Sequence, residues 1–383
     1  MTEKIRKVGI IGPSPRFLSG ISYFTMRLSN ALAKRCTVSA VLFRHMLPKR
    51  LFPGWKRVGT DIAAFSYDNT IACEEILDWY NPLSWNRAAR ELRTCDVIIF
   101  QWWTSSVAHM YLALETLLRK KVPIVIEFHE VVDTLEQAVL PISIYAKHAG
   151  RWVRNRASAY VVHSEADRKL IADYYGIPME SVRVIPHGLF DQYPKLDPKE
   201  MKSHIGVAEE FSILFFGLLR PYKGVSFLIG AFEKLPENIR KNCHLHIVGE
   251  AWEDRESIER ATYSPYTDQI TIVNRYVSDE EIPRFFSAAD VLVLPYTRAS
   301  QSGVAHIGIT YGIPIIASRV GGLEESLGKY KGTNFVAPSS EEDIVRAIVE
   351  AYNARKTDYP VPTELSWDNV AEEWCRFFDE IKV

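Results

Sequence analysis

Strand-length apolar runs alternate with amphipathic helical stretches along the whole chain, and this alternation limits the fold more than any other feature. In such a series each strand is followed by a helix that returns the chain, which predicts parallel sheets with right-handed crossovers. The predicted strands are residues 8–12, 37–43, 97–100, 122–128, 159–163, 182–185, 211–216, 244–248, 269–273, 291–294 and 313–317. Because 383 residues exceed one ordinary core, we predict an α/β protein with two doubly wound domains.

The polar segment at residues 191–200, DQYPKLDPKE, has two prolines and no hydrophobic period, which is typical of an interdomain linker. It divides the chain into a predicted N-terminal domain at 1–190 and a predicted C-terminal domain at 191–365. A helix predicted at 367–381 is rich in aromatic residues, more than a free terminus needs. We therefore expect this helix to dock on the rest of the protein.

Composition excludes several classes of protein. The net charge is −1, so the molecule as a whole lacks the positive surface that nucleic-acid binding requires. The five cysteines are scattered without metal or redox spacing, which favours a reducing cytosol. No apolar run reaches the ~20 residues of a membrane span, and the start MTEKIRKVGIIG does not resemble a signal peptide. We expect a cytoplasmic protein that can still touch the inner face of a membrane.

The segment ILFFGLLRPYKG, residues 213–224, places two cations directly after a predicted strand. Arg220 and Lys223 lie in the turn, and Gly224 starts the following amphipathic stretch. Open α/β sheets bind ligands at the carboxyl ends of their strands, and a helix N-terminus has unpaired N–H groups that favour an anion. The order indicates a diphosphate site, with a pair of solvated loop cations as the alternative.

Two further loops at predicted strand ends are candidates for ligand contact. Gly20 opens a helix after the first strand, and the loop before it lacks the GxGxxG of dinucleotide-binding proteins. A plain connection explains that loop equally well. His129 follows the strand at 122–128, where it can touch a substrate hydroxyl or act as a packed or capping side chain. The acidic residues beside it do not make a zinc motif, because those ligands must share one helix and the second histidine is missing.

Cations alternate with bulky apolar residues from Arg44 to Arg57, in RHMLPKRLFPGWKR. Such a pattern suits an anionic lipid interface, and a solvated loop with a few packed anchors is the alternative. The stretch KHAGRWVRNR repeats the pattern more weakly, through Arg151, Trp152, Arg154 and Arg156. Peripheral membrane contact through the N-terminal half is therefore one hypothesis.

A second loop rich in small residues follows the predicted strand that ends at Leu294. It reads TRASQSGVAHIGITYGIPIIASRVGG, and Ser300, Ser302 and Gly303 precede an apolar helical stretch that ends at Gly312. Such a loop can bring backbone N–H groups close to an anion. Two sheets that each offer a loop of this kind at their strand ends indicate a ligand cleft.

The segments FFGLLRPYKG, HSEADRKLI, IPHG and VLVLPY through QSGV to GIPIIASRVGG follow one another in an order that resembles a known family. The family is the retaining nucleotide-sugar glycosyltransferases of family 4, group 1 type, and the match is to a subgroup that carries QSGV. The resemblance covers nearly the whole chain. It implies the GT-B fold, in which two Rossmann-like domains face each other across a cleft and the C-terminal helix, here 366–383, crosses back to complete the first domain.

The resemblance also implies roles for individual residues. The N-terminal domain would bind the acceptor and the C-terminal domain the nucleotide-sugar donor. Arg220 and Lys223 would hold the donor diphosphate and His129 would lie beside the donor sugar, which makes these three the candidate catalytic residues. The other implied donor-binding residues are Gly20 in the first loop, Arg275 and Tyr276 near the nucleobase, and Gln301, Ser302, Gly303 and Val304 in the second loop.

One part of the sequence departs from the family pattern. Members usually carry two glutamates with seven residues between them before the GIP-type glycine, the first near the sugar and the second on the ribose. Ala299 and Ile307 occupy these positions, and neither side chain can accept a hydrogen bond. Gln301, Ser302 or His306 would have to replace them.

The expected reaction moves a sugar from a UDP- or GDP-sugar to a hydroxyl of a sugar or lipid-linked acceptor, with retention at the anomeric carbon. The expected context is the synthesis of cell-surface glycans, glycolipids or other glycoconjugates. Because no DxD sequence occurs, we expect no metal and no cofactor. Two alternatives stay open. A nucleotide-sugar 2-epimerase of the same fold would alter the donor without an acceptor, and a non-catalytic partner subunit would bind nucleotide without turnover.

Overall fold

The computed structural model describes residues 6–17, 19–46, 66–118, 122–132, 140–208, 210–252, 254–299, 302–355 and 358–381. The chain divides into two compact units, which we call unit 1 (Met1–Gly188 with Glu364–Val383) and unit 2 (Leu189–Thr363). Both units are parallel α/β folds, as the sequence predicts. Within the described ranges, no helix has the length and apolar character needed to cross a bilayer.

Unit 1 is built on a seven-stranded parallel sheet with the order β3-β2-β1-β4-β5-β6-β7. Its strands are β1 (Lys7–Pro13), β2 (Thr37–His45), β3 (Ala72–Asp78), β4 (Val97–Trp102), β5 (Ile124–Phe128), β6 (Ala159–Val162) and β7 (Val182–Val184). The strand order reverses between β1 and β4. Open sheets of this type bind ligands at such a switch point.

Helices cover both faces of this sheet. They are α1 (Gly20–Ala33), α2 (Pro82–Leu92), α3 (Ala108–Leu118), α4 (Leu140–Arg154), α5 (Glu165–Tyr175) and α14 (Trp367–Glu380). Ser164 and Asp167 have the spacing of a capping box in the sequence, which predicts a helix start here. The structure confirms this start, because Ser164 Oγ accepts a hydrogen bond from the Asp167 backbone N–H at 3.0 Å at the beginning of α5. The helix predicted after Gly20 is also confirmed, and its Phe24, Leu28 and Leu32 are buried.

Helix α14 completes the core of unit 1. Its Trp374 and Phe378 belong to the same buried cluster as Val8 of β1 and Ile99 of β4. The helix also packs against α1. The prediction that the aromatic-rich C-terminal helix docks on the N-terminal domain is therefore confirmed.

Unit 2 is built on a six-stranded parallel sheet with the order β10-β9-β8-β11-β12-β13. Its strands are β8 (Phe211–Phe216), β9 (Cys243–Val248), β10 (Ile270–Val273), β11 (Val291–Leu294), β12 (Ile315–Ser318) and β13 (Thr333–Val336). Its helices are α6 (Pro198–His204), α7 (Val225–Glu233), α8 (Glu237–Arg240), α9 (Arg255–Thr262), α10 (Ile282–Ala288), α11 (Gly303–Tyr311), α12 (Gly321–Gly328) and α13 (Glu341–Ala354). Here the strand order reverses between β8 and β11.

The strands β3 and β13 were not predicted from the sequence. Each pairs on one side only, at the end of its sheet. The β3 sequence ACEEILD is charged in the middle and buried only at its last residues. An edge strand exposed to solvent does not need a continuous apolar run, so the pattern used to find the other strands is absent here.

Two local predictions are wrong. Residues 191–200 do not form a free linker, because Tyr193 is buried within unit 2 and Pro198 begins α6. Ser278 and Glu281 also have the spacing of a capping box in the sequence, which predicts a helix that begins after Ser278, but the helix begins at Ile282. The Ser278 backbone N–H does donate to Glu281 Oε2 at 3.2 Å, but residues 279–281 form a turn before the helix.

Candidate functional site

The loop that follows β8 extends that strand and carries Arg220 directly after the extension. Leu219 forms a parallel bridge with Ala251, and its backbone N–H donates to the Glu250 carbonyl at 3.0 Å. Gly217, at φ 119°, makes the bend between β8 and this extension. The backbone before Arg220 is therefore held on one side by the loop that follows β9.

Arg220 is positioned but not neutralised. Its guanidinium carbon lies 5.1 Å from the ring centroid of Trp252, and its Nε is buried without a hydrogen-bond partner among the described residues. A buried donor without a partner costs ~1–3 kcal/mol. Such a donor on a charged side chain at a strand end indicates a missing acceptor.

Lys223 closes the short 3₁₀ turn Pro221–Lys223 and is also held by aromatic contact. Its Nζ lies 3.8 Å from the ring centroid of Tyr296 and 5.4 Å from that of Tyr222. Within the described residues it forms no ion pair with a carboxylate. Ring faces stabilise an ammonium group by ~0.5–2 kcal/mol, but they offer no oxygen or nitrogen atom to accept its hydrogen bonds. Its N–H groups are therefore suited to anionic oxygens.

The loops after β8 and β11 are tied to each other. The Thr297 backbone N–H donates to the Tyr222 carbonyl at 2.8 Å. Gly224 has φ 66°, and a Cβ at this position would lie 2.0 Å from the Pro295 carbonyl oxygen. Only glycine allows the approach. The turn that carries Arg220 and Lys223 is thus fixed relative to the segment that follows β11.

The predicted loop at residues 301–304 leads into α11, and the start of this helix lies beside the loop that follows β8. Ser302 caps this helix, since its Oγ accepts from the Ala305 backbone N–H at 3.3 Å. A Cβ built on Gly217 would lie 3.5 Å from Val304 Cγ2, and one built on Gly303 would lie 2.9 Å from the ring of Phe190. Unit 2 therefore brings the N-terminus of α11 to the bend after β8. Gln301 lies outside the described residues.

Arg275 is paired, unlike Arg220 and Lys223. Its guanidinium contacts Glu281 through two hydrogen bonds of 2.6 and 2.9 Å. These bonds, together with the Ser278 N–H and hydroxyl, lower the pKa of Glu281 to about 2. The pair fixes the segment that carries the half-buried Tyr276. A nucleobase at this segment would therefore contact the backbone or the Tyr276 ring, because the charge of Arg275 is already paired with Glu281.

Unit 1 holds a chain of polar side chains at the carboxyl ends of β4, β5 and β6, which we call the histidine–carboxyl chain. His129 Nε2 contacts Gln101 Oε1, and Gln101 Nε2 donates to Glu127 Oε2 at 2.5 Å. Glu127 Oε1 lies 3.8 Å from His163 Nε2. His163 Nδ1 lies 3.0 Å from the Ile185 carbonyl oxygen, which ends the chain.

The carbonyl end of this chain sets the protonation of its buried members. A carbonyl oxygen can only accept, so His163 carries its hydrogen on Nδ1 and keeps a lone pair on Nε2. That lone pair faces the carboxyl group of Glu127, which favours the protonated acid. Burial raises the pKa of Glu127 to about 8 and lowers the pKa of His163 to about 4. Both groups are therefore neutral at pH 7.

The direction of the hydrogen bonds also determines which ring nitrogen of His129 carries the proton. Because the Gln101 amide nitrogen donates to Glu127, its oxygen faces His129, and His129 Nε2 must be the donor. Burial, with a smaller effect from His163, lowers the pKa of His129 well below its usual value. The neutral ring then has an acceptor at Nδ1. Phe24 packs against the ring with 4.7 Å between the centroids.

Gly20 begins α1 at the switch point of the unit 1 sheet. Ser19 caps the helix by accepting from the Ser22 backbone N–H at 3.2 Å. Gly20 is exposed, and a Cβ added there would meet no atom within 4 Å. Packing within the described residues does not require glycine at this position, so the glycine leaves open space at the helix N-terminus.

Comparison with known families identifies the chain from both halves. The sequence model described as Glycosyltransferase Family 4 matches residues 18–191, and the one described as Glycosyl transferases group 1 matches residues 210–354. The two matches correspond closely to the α/β cores of units 1 and 2. The chain belongs to the family 4 glycosyltransferases.

Curated relatives support this assignment at low identity. An uncharacterised glycosyltransferase from Methanocaldococcus jannaschii is 27% identical over 246 residues, which is 60% of this chain and 62% of that protein. The 2-deoxystreptamine glucosyltransferase of Streptomyces kanamyceticus is 24% identical over 229 residues, 58% of this chain and 57% of that protein. The D-inositol 3-phosphate glycosyltransferase of Xylanimonas cellulosilytica is 26% identical over 241 residues, 60% of this chain and 56% of that protein. The matches thus span 56–62% of these relatives' lengths.

Solved structures show the same architecture. Anabaena HepE in complex with UDP and glucose matches with a TM-score of 0.71 and 16% identity, over 98% of this chain and 100% of that chain. Sucrose-phosphate synthase from Thermosynechococcus elongatus matches with a TM-score of 0.70 and 15% identity, over 98% and 99% of the two chains. At such identities the similarity concerns the fold. The family 4 glycosyltransferase described here has the GT-B type of fold, with two Rossmann-like domains.

The family's usual glutamate positions are apolar in the structure too. Ile307 lies inside α11 and is 6% exposed. Ala299 lies before the helix, and its carbonyl oxygen would be 2.1 Å from a Cβ on Gly321. Neither position offers a side-chain acceptor. Of the predicted replacements, Ser302 already caps α11, and His306 is buried in the same helix.

Several residues of these sites were not predicted. Gln101 and Glu127 are polar residues in the otherwise apolar strands VIIFQW and IVIEF, which pair with each other in parallel. That shared irregularity was a usable signal. No sequence signal indicated Trp252 and Tyr296, because these aromatic residues lie in loops after other strands and contact Arg220 and Lys223 only in the folded protein.

Of the two predicted patches of cations and apolar residues, one lies largely outside the described residues and the other includes a buried arginine. Of the segment between Arg44 and Arg57, residues 47–57 lie outside the described residues. Arg154 of the second patch is only 3% exposed, and its guanidinium lies 3.6 Å from the ring centroid of Tyr175. Its inclusion in a lipid-binding surface is wrong. The described residues contain no group of three or more His, Cys, Asp or Glu arranged to hold a metal.

Proposed function

We propose that this family 4 glycosyltransferase moves a sugar from a nucleotide diphosphate sugar to an acceptor hydroxyl with retention at the anomeric carbon. The observation that carries the proposal is the pair Arg220 and Lys223, which lie at a strand end of unit 2 and have no carboxylate partner among the residues that the structure describes. The same unit places the N-terminus of α11 against the bend that precedes Arg220. Two cations and a helix N-terminus together suit a diphosphate.

The proposed catalytic role of this pair follows from the chemistry of the reaction. The slow step is departure of an anionic diphosphate while positive charge develops on the sugar ring. Preorganised donors aimed at the leaving oxygens stabilise that charge without reorganising during the reaction. Arg220 and Lys223 would supply them, which is why we propose that no divalent metal is needed. Full activity in the presence of a chelator is the corresponding expectation.

We propose that His129 contacts the donor sugar through Nδ1. The histidine–carboxyl chain keeps this nitrogen unprotonated, so it would accept a hydrogen bond from a sugar hydroxyl. An uncharged ring also adds no positive charge beside a sugar that is becoming cationic. His129, Arg220 and Lys223 are thus the proposed catalytic residues. Gly20, Arg275, Tyr276, Gln301, Ser302, Gly303 and Val304 are the proposed additional donor contacts.

The donor is proposed to be a UDP- or GDP-sugar and the acceptor a sugar or a lipid-linked sugar. Structural neighbours were solved with UDP, UDP-glucose and ADP, which supports a nucleotide site in this fold. Synthesis of a cell-surface glycan or glycolipid is the proposed setting. The absent glutamate pair favours one alternative, a partner subunit that binds nucleotide without turnover.

The test begins with a thermal-shift screen of UDP, GDP, ADP and their sugars. A selective rise of Tm with one base is expected. Transfer from the matching sugar to an acceptor panel follows, and the anomeric proton coupling of the product reports retention. Binding without release of nucleoside diphosphate would favour the partner subunit. A changed sugar in the absence of acceptor would favour the epimerase.

We also propose peripheral contact with an anionic membrane at the cytoplasmic face, through helix α4. The exposed side of this helix carries Leu140, Ile144 and Trp152, which are 73%, 50% and 58% exposed. Lys147 and Arg151 lie among them, and the helix contains no acidic residue. Apolar anchors between cations suit an anionic lipid surface. Sedimentation with anionic but not neutral vesicles is expected, with loss in Trp152→Ala; equal failure with both vesicles would contradict it.

A further inference from the structure

Two cysteines that are distant in the sequence lie together in unit 1. Cys36 precedes β2, and Cys375 lies on α14. Their Sγ atoms are 3.8 Å apart although the residues are 339 positions apart in the chain. Both cysteines are free and partly exposed. Because a disulfide bond is ~2.05 Å long, small side-chain rotations would bring the sulfur atoms to bonding distance.

Ion pairs hold α14 in register with this corner of unit 1. The acidic residues on the helix recur with Cys375 at spacings of three or four positions, so they share one helix face. The contacts are Lys34 with Asp368 at 3.0 Å, Arg35 with Glu372 at 3.9 Å, and Arg6 with Asp379. The two sulfur atoms therefore face each other inside an oriented interface.

The same surroundings distinguish the two thiols. The contact with Cys36, with smaller contributions from Arg35 and Arg6, lowers the pKa of Cys375 to about 7. The matching effect raises the pKa of Cys36. A thiolate is the nucleophilic form of cysteine, and nearby cations favour it. Cys375 is thus the more reactive sulfur, and Cys36 lies beside it as the second thiol.

We propose that Cys36 and Cys375 are a reversible oxidation site that forms a disulfide when hydrogen peroxide is the oxidant. In the first step the Cys375 thiolate attacks a peroxide oxygen, so that an S–O bond forms, the O–O bond breaks and hydroxide leaves. In the second step Cys36 gives up its proton and attacks the Cys375 sulfur, so that the S–S bond forms and water leaves. Two thiols and one peroxide become one disulfide and two waters, and a dithiol reductant reverses the change.

The disulfide would join the turn between α1 and β2 to α14 and prevent α14 from separating from the rest of unit 1. It would also close a loop of most of the chain, which restricts the unfolded state. The oxidised protein is therefore expected to unfold at a higher temperature than the reduced protein. The inference does not depend on the sugar-transfer reaction.

The experiment treats the full chain with hydrogen peroxide, alkylates the remaining thiols and digests it without reductant. Mass spectrometry is expected to show one peptide pair linked through Cys36 and Cys375, together with a higher Tm that a dithiol returns to the starting value. Cys36→Ser and Cys375→Ser should each remove both the linked pair and the Tm change.

Cys73→Ser is the matched control, because Cys73 is also accessible but lies on β3. This variant should keep the linked pair and the Tm change. If one of the first two variants does not fold, the linked peptide in wild type and in Cys73→Ser still decides the question. Oxidation of Cys375 to sulfinic acid without the linked pair would overturn the proposal, and so would links that join two molecules through Cys73.

Discussion

The two candidate sites differ in whether their polar side chains are hydrogen-bonded to other protein groups. In unit 1 hydrogen bonds join His129 to Gln101 and Gln101 to Glu127, and Glu127 Oε1 lies 3.8 Å from His163 Nε2 without a hydrogen bond. In unit 2, Arg220 and Lys223 rest on aromatic rings without a protein acceptor for their charge among the described residues. Both groups lie at the carboxyl ends of parallel strands.

This difference separates two kinds of function. The hydrogen bonds from His129 to Gln101 and from Gln101 to Glu127 fix the orientation and tautomer of His129, so they position a side chain. Cations without partners gain most of their stabilisation only when an anion arrives. Unit 1 would thus present one neutral acceptor, and unit 2 would bind charge.

The largest expected effect comes from removing the cations of unit 2. Arg220→Ala and Lys223→Ala should each weaken the binding of the preferred nucleoside diphosphate ~10- to 150-fold, because a hydrogen bond to a charged group contributes ~1.5–3 kcal/mol. The double variant should bind weaker still. Isothermal titration calorimetry measures the affinities.

Lys241→Ala is the matched control for these variants, since its ammonium pairs with Glu237 at 2.6 Å on the surface of unit 2. It should bind the nucleotide with unchanged affinity. Unchanged affinity in the double variant as well would mean that unit 2 does not hold the diphosphate through these cations.

The next effect concerns the proton on Glu127. Its pKa is about 8 in the folded protein, above the value of 4.5 that serves as reference, so the folded state keeps a proton that the unfolded state loses. Stability due to this group is therefore full at low pH and is lost as the pH rises toward 8. Relative to Glu127→Gln, the wild type should lose up to ~1.4 kcal/mol of unfolding free energy per pH unit in this range. Urea denaturation at pH 5 to 8 measures it.

The comparison between wild type and Glu127→Gln removes the opposing contribution of the histidines, which is common to both proteins. Glu91 is exposed, and Glu91→Gln should follow the wild-type curve. Parallel curves for wild type and Glu127→Gln would show that Glu127 is ionised in the folded protein.

A smaller effect is expected from a substitution that interrupts the histidine–carboxyl chain at Gln101. Gln101→Met keeps the volume but removes both hydrogen bonds of the amide, so His129 loses its fixed orientation and tautomer. Turnover should fall on the order of 10- to 100-fold, while the affinity for nucleoside diphosphate stays the same. Separate measurements of kcat and of nucleotide Kd distinguish positioning from binding.

Gln269→Met serves as the control for loss of a bonded amide, because Gln269 accepts from Arg240 at 2.6 Å within unit 2. It should reduce stability without reducing turnover. A Gln101→Met protein with normal kcat would remove the proposed role of the histidine–carboxyl chain.

The smallest change in stability is expected at Gly20. Gly20→Ala should raise the unfolding free energy by ~0–1 kcal/mol, because alanine favours the helix and no atom lies within 4 Å of the new methyl group. Turnover should nevertheless fall if the donor occupies that space. Gly328→Ala, where a Cβ also meets nothing, should keep normal turnover. Equal activity in both variants would place the donor elsewhere.

Much of the fold followed from the sequence because apolar periodicity reports burial. The strand at Phe211–Phe216 and the strand at Val291–Leu294 were predicted with their observed bounds. The edge strands β3 and β13 were missed because exposed strands lack that signal. Tyr193 was placed in a linker because one buried aromatic residue in a polar, proline-containing segment does not make a hydrophobic period.

The candidate sites were predictable in part. Arg220, Lys223 and Ser302 were found because strand ends and helix starts leave a local pattern. Whether a cation is already paired was invisible, since Arg275 meets Glu281 through a turn whereas Arg220 rests on Trp252 from another loop. The bond between Gln101 and Glu127 depends on strand register, which one sequence does not specify.

Because α14 supplies Trp374 and Phe378 to its core, unit 1 needs residues that precede unit 2 in the sequence and residues that follow it. On the ribosome, the segment 189–363 emerges in full before α14 does. The compact unit that holds the first residues of the chain is thus the last to be completed during synthesis. Until then, its uncovered sheet face is a surface that a chaperone can recognise.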